Sequence, residues 1–174
     1  SAEGGANGMF SEMTYFNGVQ ETVQDMLKKV DKWGGPETYP HMAAGWAVMF
    51  DAPYQWTKQM GSDHGGTKVG MTIRWPKGIK ARGEVRNQYH HAVDIVPTIL
   101  EICGLEMPQE YNGVKQYPLS GVSMKSSFDA KPDDPTKKHI QYYAMLGTRA
   151  IWKDGWKAVA VHAPLTDKGN FDKD

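Results

Sequence analysis

Apolar residues at Val19, Val23, Met26, Leu27 and Val30 recur at helical spacing, and Gly34-Gly35-Pro36 stops that run. The stretch before it, residues 1–16, is rich in Gly and Met, has no period, and predicts a loop. Residues 37–60 are aromatic and loop-like, with a short helix around residues 43–49. Residues 69–75 read as a strand, closed by the turn Pro76-Lys77-Gly78. Residues 91–104 read as a second helix, with Asp94 as its N-cap, Pro97 tolerated in the first turn and Gly104 at the C′ position. A long connection over residues 106–138, rich in Pro, Asp and Ser, leads to a strand at residues 141–145. A hairpin comes last: residues 149–152, the turn Lys153-Asp154-Gly155, then residues 156–161. An Asp-Gly pair between aromatic and β-branched residues favours a type I′ turn. The mixture predicts the α/β class.

Composition narrows the picture without deciding it. A chain of 174 residues suits one domain or a large piece of a bigger one. Twenty basic and twenty acidic residues cancel, so no electrostatic footprint for nucleic acid or an anionic membrane is present. No apolar run approaches the roughly 20 residues needed to span a bilayer. The first residues from Ser1 carry no leader pattern, and the expectation covers periplasmic, secreted and cytoplasmic locations alike. A single cysteine, Cys103, excludes an internal disulfide framework and a multi-cysteine zinc site.

Most candidate chemistry has a plainer explanation. Cys103 sits on the apolar face of the second helix and is expected as a buried small hydrophobe. Adjacent His90 and His91 point in different directions on a helix and cannot chelate one ion together. One is expected to pack, the other to be exposed or to cap. Asp94 needs no role beyond capping, Asp133 and Asp134 lie in a polar loop, and His139 and His162 stand alone.

Lys58 differs because of its loop. Residues 53–68 set it among Tyr54, Trp56 and Thr57 and place His64, Gly65 and Gly66 after it. Glycines let a backbone approach closely and adopt positive φ. Successive N–H groups in such a turn form an anion-binding concavity, and a lysine adds a compact point charge. A strand directly afterward puts the loop at a sheet end, where sites tend to form. The competing reading is an exposed surface lysine, which holds for most lysines.

At this point the residues resemble a family. Thr57-Lys58-Gln59, then Ser62-Asp63-His64-Gly65-Gly66-Thr67-Lys68 and Met71-Thr72-Ile73-Arg74-Trp75-Pro76, look like the bacterial arylsulfatases of the alkaline-phosphatase-like superfamily. So do Tyr89-His90-His91-Ala92-Val93-Asp94-Ile95-Val96-Pro97-Thr98, Asn112-Gly113-Val114, Gly121-Val122-Ser123-Met124 and Thr148-Arg149-Ala150-Ile151. The resemblance covers nearly the whole chain, in order. Ser1-Ala2-Glu3-Gly4-Gly5 looks like the stretch directly after the family's metal-binding Asp-Asn-Gly segment. The resemblance therefore implies a C-terminal fragment of a sulfatase. The missing N-terminal portion would carry the formylglycine nucleophile and most ligands of a calcium ion.

The resemblance implies a partial alkaline-phosphatase-like sulfatase fold with a small C-terminal antiparallel sheet. Residues 1–105 would complete the catalytic α/β domain, and residues 106–174 would begin a smaller β subdomain. It implies a sulfuric ester hydrolase acting on aryl or alkyl sulfate esters, with Lys58 contacting the sulfate and Trp56 and His64 beside the substrate. Trp46 and His41 are further candidates for the aryl side. No metal ligand is assigned within the chain, and the isolated chain is expected to be inactive. Members often carry Arg where Lys68 stands, and Lys lacks the bidentate fork. Two other readings share much of the pattern: a phosphonate or phosphodiester hydrolase of the same superfamily, and a non-catalytic sulfate-binding module.

Overall fold

A computed structural model describes residues 4–11 and 16–161. His162, Ser1 to Glu3 and the C-terminal tail lie outside the described residues. Helices are α1 (Val23–Leu27), α2 (Ala44–Asp51), α3 (His64–Thr67) and α4 (Ile95–Cys103), with single 3-10 turns at Val30–Lys32, Ala92–Asp94 and Lys125–Ser127. Strands β1 (Glu110–Tyr111) and β2 (Val114–Lys115) pair antiparallel, Tyr111 opposite Val114. Strands β3 (Ile140–Met145), β4 (Thr148–Lys153) and β5 (Trp156–Ala160) form a second sheet in the order β3-β4-β5. The architecture is thus mixed helices with small antiparallel sheets, as expected of a partial α/β sulfatase C-terminal domain.

Local chemistry explains the turns. The expected Asp154-Gly155 turn joins β4 to β5, with φ of 47° and 92° at its two central residues. Both values are positive, which is the type I′ geometry that matches the twist of the flanking strands. Two hairpins obey the same rule without having been expected. Asn112-Gly113 joins β1 to β2 at φ 50° and 78°, and Leu146-Gly147 joins β3 to β4 at φ 48° and 86°. Within β4 burial alternates strictly: Thr148, Ala150 and Trp152 are buried, whereas Arg149, Ile151 and Lys153 face out.

Chain contacts divide the protein into two units. The first holds Ser1–Gly70, Tyr143–Ala150 and Val159–Asp174. In it, α1 is shorter than the apolar spacing suggested. Thr22 caps it through a reciprocal box: Thr22 Oγ1 accepts from Asp25 N, and the Asp25 side chain accepts from Thr22 N. Val19 is left outside the helix, and only Met26 of the spaced residues is buried. The Glu21 carboxylate accepts the N–H groups of Phe10 and Ser11, each at 2.8 Å, and pairs with Lys29 at 3.3 Å. Burial pushes its pKa up, the hydrogen bonds push it down, and the net is lowered. The expected helix near residues 43–49 is α2.

The second unit, Met71–Tyr142 with Ile151–Ala158, is organised around one carboxylate. Asp94 is 0% exposed. Its Oδ1 accepts from Lys138 Nζ at 2.7 Å and Val122 N at 2.9 Å, and its Oδ2 accepts from His91 N at 2.8 Å. The expectation of a simple helix cap therefore needs correction. The Asp94 side chain makes no cap bond to α4. It reaches back to close the preceding 3-10 turn, where His91 Nδ1 accepts from Val93 N. The adjacent histidines divide as expected, since His90 packs half-buried with Nε2 3.0 Å from Ser127 Oγ. The Thr98 hydroxyl donates to Asp94 O at 2.6 Å and accepts from Met124 N at 2.8 Å. Aromatic contacts add to this: Tyr89 lies flat on Trp152 at 3.6 Å, and Trp75 meets Phe128 edge-on at 6.3 Å. Gly104 ends α4 in the left-handed region at φ 65°, as expected.

Two expectations fail here. Residues 69–75 form no strand among the described residues. Val69 is 86% exposed and Met71 and Ile73 are also exposed, because no described segment pairs with their backbone. Alternation selects the faces of a strand, but a ladder needs a neighbour. Cys103 is exposed and not buried, because the apolar face of α4, with Ile95, Val96 and Ile99 exposed, is not covered by described residues.

Candidate active site

The loop of residues 53–68 is held by backbone contacts more than by side chains. Asp63 precedes α3, and the Thr67 hydroxyl donates back to Asp63 O at 2.8 Å. The paired glycines lie inside α3, and neither has positive φ. They are required for close approach instead. A Cβ on Gly65 would fall 1.9 Å from Trp56 O, and one on Gly66 would fall 2.2 Å from Met60 O and 2.8 Å from Thr57 O. The Gly65 N–H donates to Gln55 O at 3.1 Å. It serves to dock the loop on itself and is not an open donor for an anion.

Positive φ falls on two other residues. Trp56 stands at φ 64° and Gln59 at φ 79°, either side of Thr57 and Lys58. Left-handed backbone at residues with a Cβ costs about 1 kcal/mol or more each. The surrounding structure must hold them there. Part of that hold comes from β4. Gly61 N donates to Thr148 Oγ1 at 2.8 Å, and Gly61 and Ser62 are buried.

Lys58 is exposed and lies in the turn between the two left-handed residues. Trp56 is 51% exposed. His64 is exposed too, its ring 5.5 Å from Tyr54 and edge-on to it. Lys68 Nζ lies 4.6 Å from the centre of the same Tyr54 ring and donates to the Tyr54 hydroxyl. His64 is thus gathered with Tyr54 and Lys68 around one ring. The pairing of Tyr54 with Lys68 is not legible in the sequence, since an aromatic residue fourteen positions before a lysine is a weak signal. Of the other aryl-side candidates, Trp46 is exposed and stacks on Phe50 at 6.2 Å. His41 holds Met9 through backbone bonds. Among the described residues no three His, Cys, Asp or Glu side chains stand together to hold a metal ion. No helix among the described residues is long and apolar enough to cross a membrane.

Comparison with known proteins supplies the family. One relative is the ulvan-active sulfatase of Formosa agariphila, 43% identical over 54 residues. That match covers 31% of this chain and only 11% of the length of that protein. Residues 56–150, more than half of the 174, match the family described as N-sulphoglucosamine sulphohydrolase, C-terminal. The matched span opens at Trp56, takes in Lys58, His64 and Asp94, and closes just after Thr148. The chain belongs to this sulphohydrolase C-terminal family.

Proposed function

We propose that this chain is part of a sulfuric ester hydrolase of the arylsulfatase type, and that Lys58 contacts the sulfate group of the substrate. The observation that carries the proposal is the backbone around Lys58. Two non-glycine residues are kept in left-handed conformations three positions apart, and one exposed lysine is presented between them. Strain of this kind clusters where geometry serves function.

The chemistry gives such a cation a role. Cleavage of a sulfate ester moves negative charge onto the leaving oxygen and the sulfuryl oxygens. A fixed ammonium aimed at that charge stabilises the transition state more than the ground state. Trp56 offers a flat apolar surface to the organic part of the ester, and His64 a polar ring nitrogen nearby. Formylglycine and calcium, implied by the resemblance, would belong to residues outside those described.

The test uses the full polypeptide encoded by the gene. Lys58→Ala should lower kcat/KM for an aryl sulfate by about 100- to 1000-fold, the scale for removing one transition-state charge partner. Turnover unchanged in that variant would sink the assignment.

A further inference from the structure

Lys58 can be fixed in place only if the backbone on both sides of it is fixed. On its C-terminal side, that task falls to a residue ninety positions away. Thr148, the first residue of β4, is 5% exposed. Its hydroxyl has one proton and two nearby carbonyls. Met145 O lies at 2.7 Å and Gln59 O at 3.4 Å, so the proton goes to Met145. The oxygen accepts the Gly61 N–H at 2.8 Å. One hydroxyl therefore joins the turn between β3 and β4 to the backbone just beyond Lys58.

The packing leaves this joint little slack. A Cβ on Gly61 would stand 3.1 Å from Thr148 O, 3.3 Å from its Oγ1 and 3.5 Å from Met145 N. Gly61 is bare so that the two backbones can meet. The hairpin behind the joint is a two-residue loop at Leu146-Gly147, with both residues in positive φ, and is itself stiff. Between this anchor and Lys58 lie only Gln59, in its left-handed conformation, and Met60. A left-handed residue beside a free end would relax; here the end is tied.

We infer that Thr148 is a positioning residue for Lys58: its hydroxyl, bonded to Gly61 N, holds the turn that aims the lysine. This rests on the proposed role of Lys58 and adds to it a residue that touches no substrate. It predicts that Thr148 matters to turnover only through Lys58.

The experiment measures aryl sulfate hydrolysis by the full gene product in five forms: parent, Lys58→Ala, Thr148→Val, Thr148→Ser and the Lys58→Ala/Thr148→Val double variant. Valine keeps the shape and loses the hydroxyl. Serine keeps the hydroxyl. Thr148→Val should lose about 10-fold or more in kcat with a smaller change in KM, since a misplacement of order 1 Å costs up to about 100-fold. Thr148→Ser should stay within about 3-fold of parent. In the Lys58→Ala background the valine substitution should change nothing further, because the group it positions is gone. If Thr148→Val does not fold, Thr148→Ala replaces it. Gly61 amide exchange, tracked by hydrogen–deuterium mass spectrometry, supplies a readout that needs no turnover: it should quicken in the valine variant and not in the serine one.

Failures separate cleanly. If Lys58→Ala keeps parent activity, the proposed function is wrong. If Lys58→Ala is impaired while Thr148→Val is not, the positioning role is wrong and the proposed function stands. A serine variant as damaged as the valine variant, or a valine loss that repeats in full without Lys58, would equally overturn the positioning role.

Discussion

The Asp94 cluster and the Lys58 loop solve opposite problems. Around Asp94, one local donor, His91 N, and two remote ones, Val122 N and Lys138 Nζ, converge on one carboxylate that is fully shielded from water. No described residue of that cluster sits in strained backbone, and the pairing of Asp94 with Lys138, itself 3% exposed, is complete. Around Lys58 the charged group is exposed, the backbone is strained at Trp56 and Gln59, and the surrounding contacts are spent on geometry. A buried charge needs partners because desolvation is costly. An exposed charge stays hydrated and asks little of the fold for stability, so strain in the backbone on both sides of Lys58 fits the proposed demand on its position. The same kind of tie, a side chain bonded to a remote backbone N–H, stands in both regions, at Asp94 with Val122 and at Thr148 with Gly61; in the proposed reading the first serves stability and the second aim.

The comparison can be broken most forcefully at Lys138. Lys138→Ala leaves the Asp94 carboxylate buried and uncompensated, and should destabilise the protein by about 3–5 kcal/mol in urea unfolding. A loss under about 1 kcal/mol would mean water already reaches the carboxylate. Next comes Gly65→Ala. Its Cβ would press on Trp56 O and Gln55 O, both backbone atoms that cannot swing aside. Overpacking of this sort costs about 1–3 kcal/mol and should shift the Lys58 turn, so thermal stability and turnover should fall together. Gly70→Ala is the control, with open space around its Cβ and no positive φ.

A smaller and more gradual effect is expected with acid. Burial raises the Asp94 pKa, but the bonds from Lys138, Val122 N and His91 N outweigh it and the net lies below the ordinary 3.8. Below that ordinary value the unfolded chain takes up a proton at this carboxyl before the folded chain does. The stabilisation is therefore complete above about pH 5 and declines as pH falls through the unfolded value toward the folded pKa, at no more than about 1.4 kcal/mol per pH unit. Unfolding midpoints measured from pH 5 down to pH 2 should show this decline, and Asp94→Asn should flatten it. An unaltered slope in Asp94→Asn would assign the acid sensitivity elsewhere.

What could be read from the sequence was whatever a few neighbouring residues decide. The Asp154-Gly155 turn, the left-handed stop at Gly104 and the helix near residue 44 depend on local chemistry, and all appear. The Thr22 cap is of the same local kind, since Thr-x-x-Asp ahead of an apolar run is a capping signal. Lys58 was singled out because its loop composition is unusual. The strain beneath it was invisible, because Trp and Gln carry no preference for positive φ that a reader could use. Lys138 and Thr148 were illegible for another reason: each acts on residues 44 and 87 positions away, and nothing in either segment names its partner.

One feature of the fold bears on how the chain behaves at high concentration. Residues 69–75 are apolar at alternate positions, exposed at Val69, Met71 and Ile73, and without a strand partner among the described residues. Produced as a separate polypeptide, such a segment is a template on which a second copy can add a strand, and growth by that route has no natural end. Lys68 and Arg74 stand close to its two ends, where like charges on neighbouring copies oppose stacking. Solubility of the separated chain should therefore depend on salt: screening those two cations removes the main electrostatic brake on self-association.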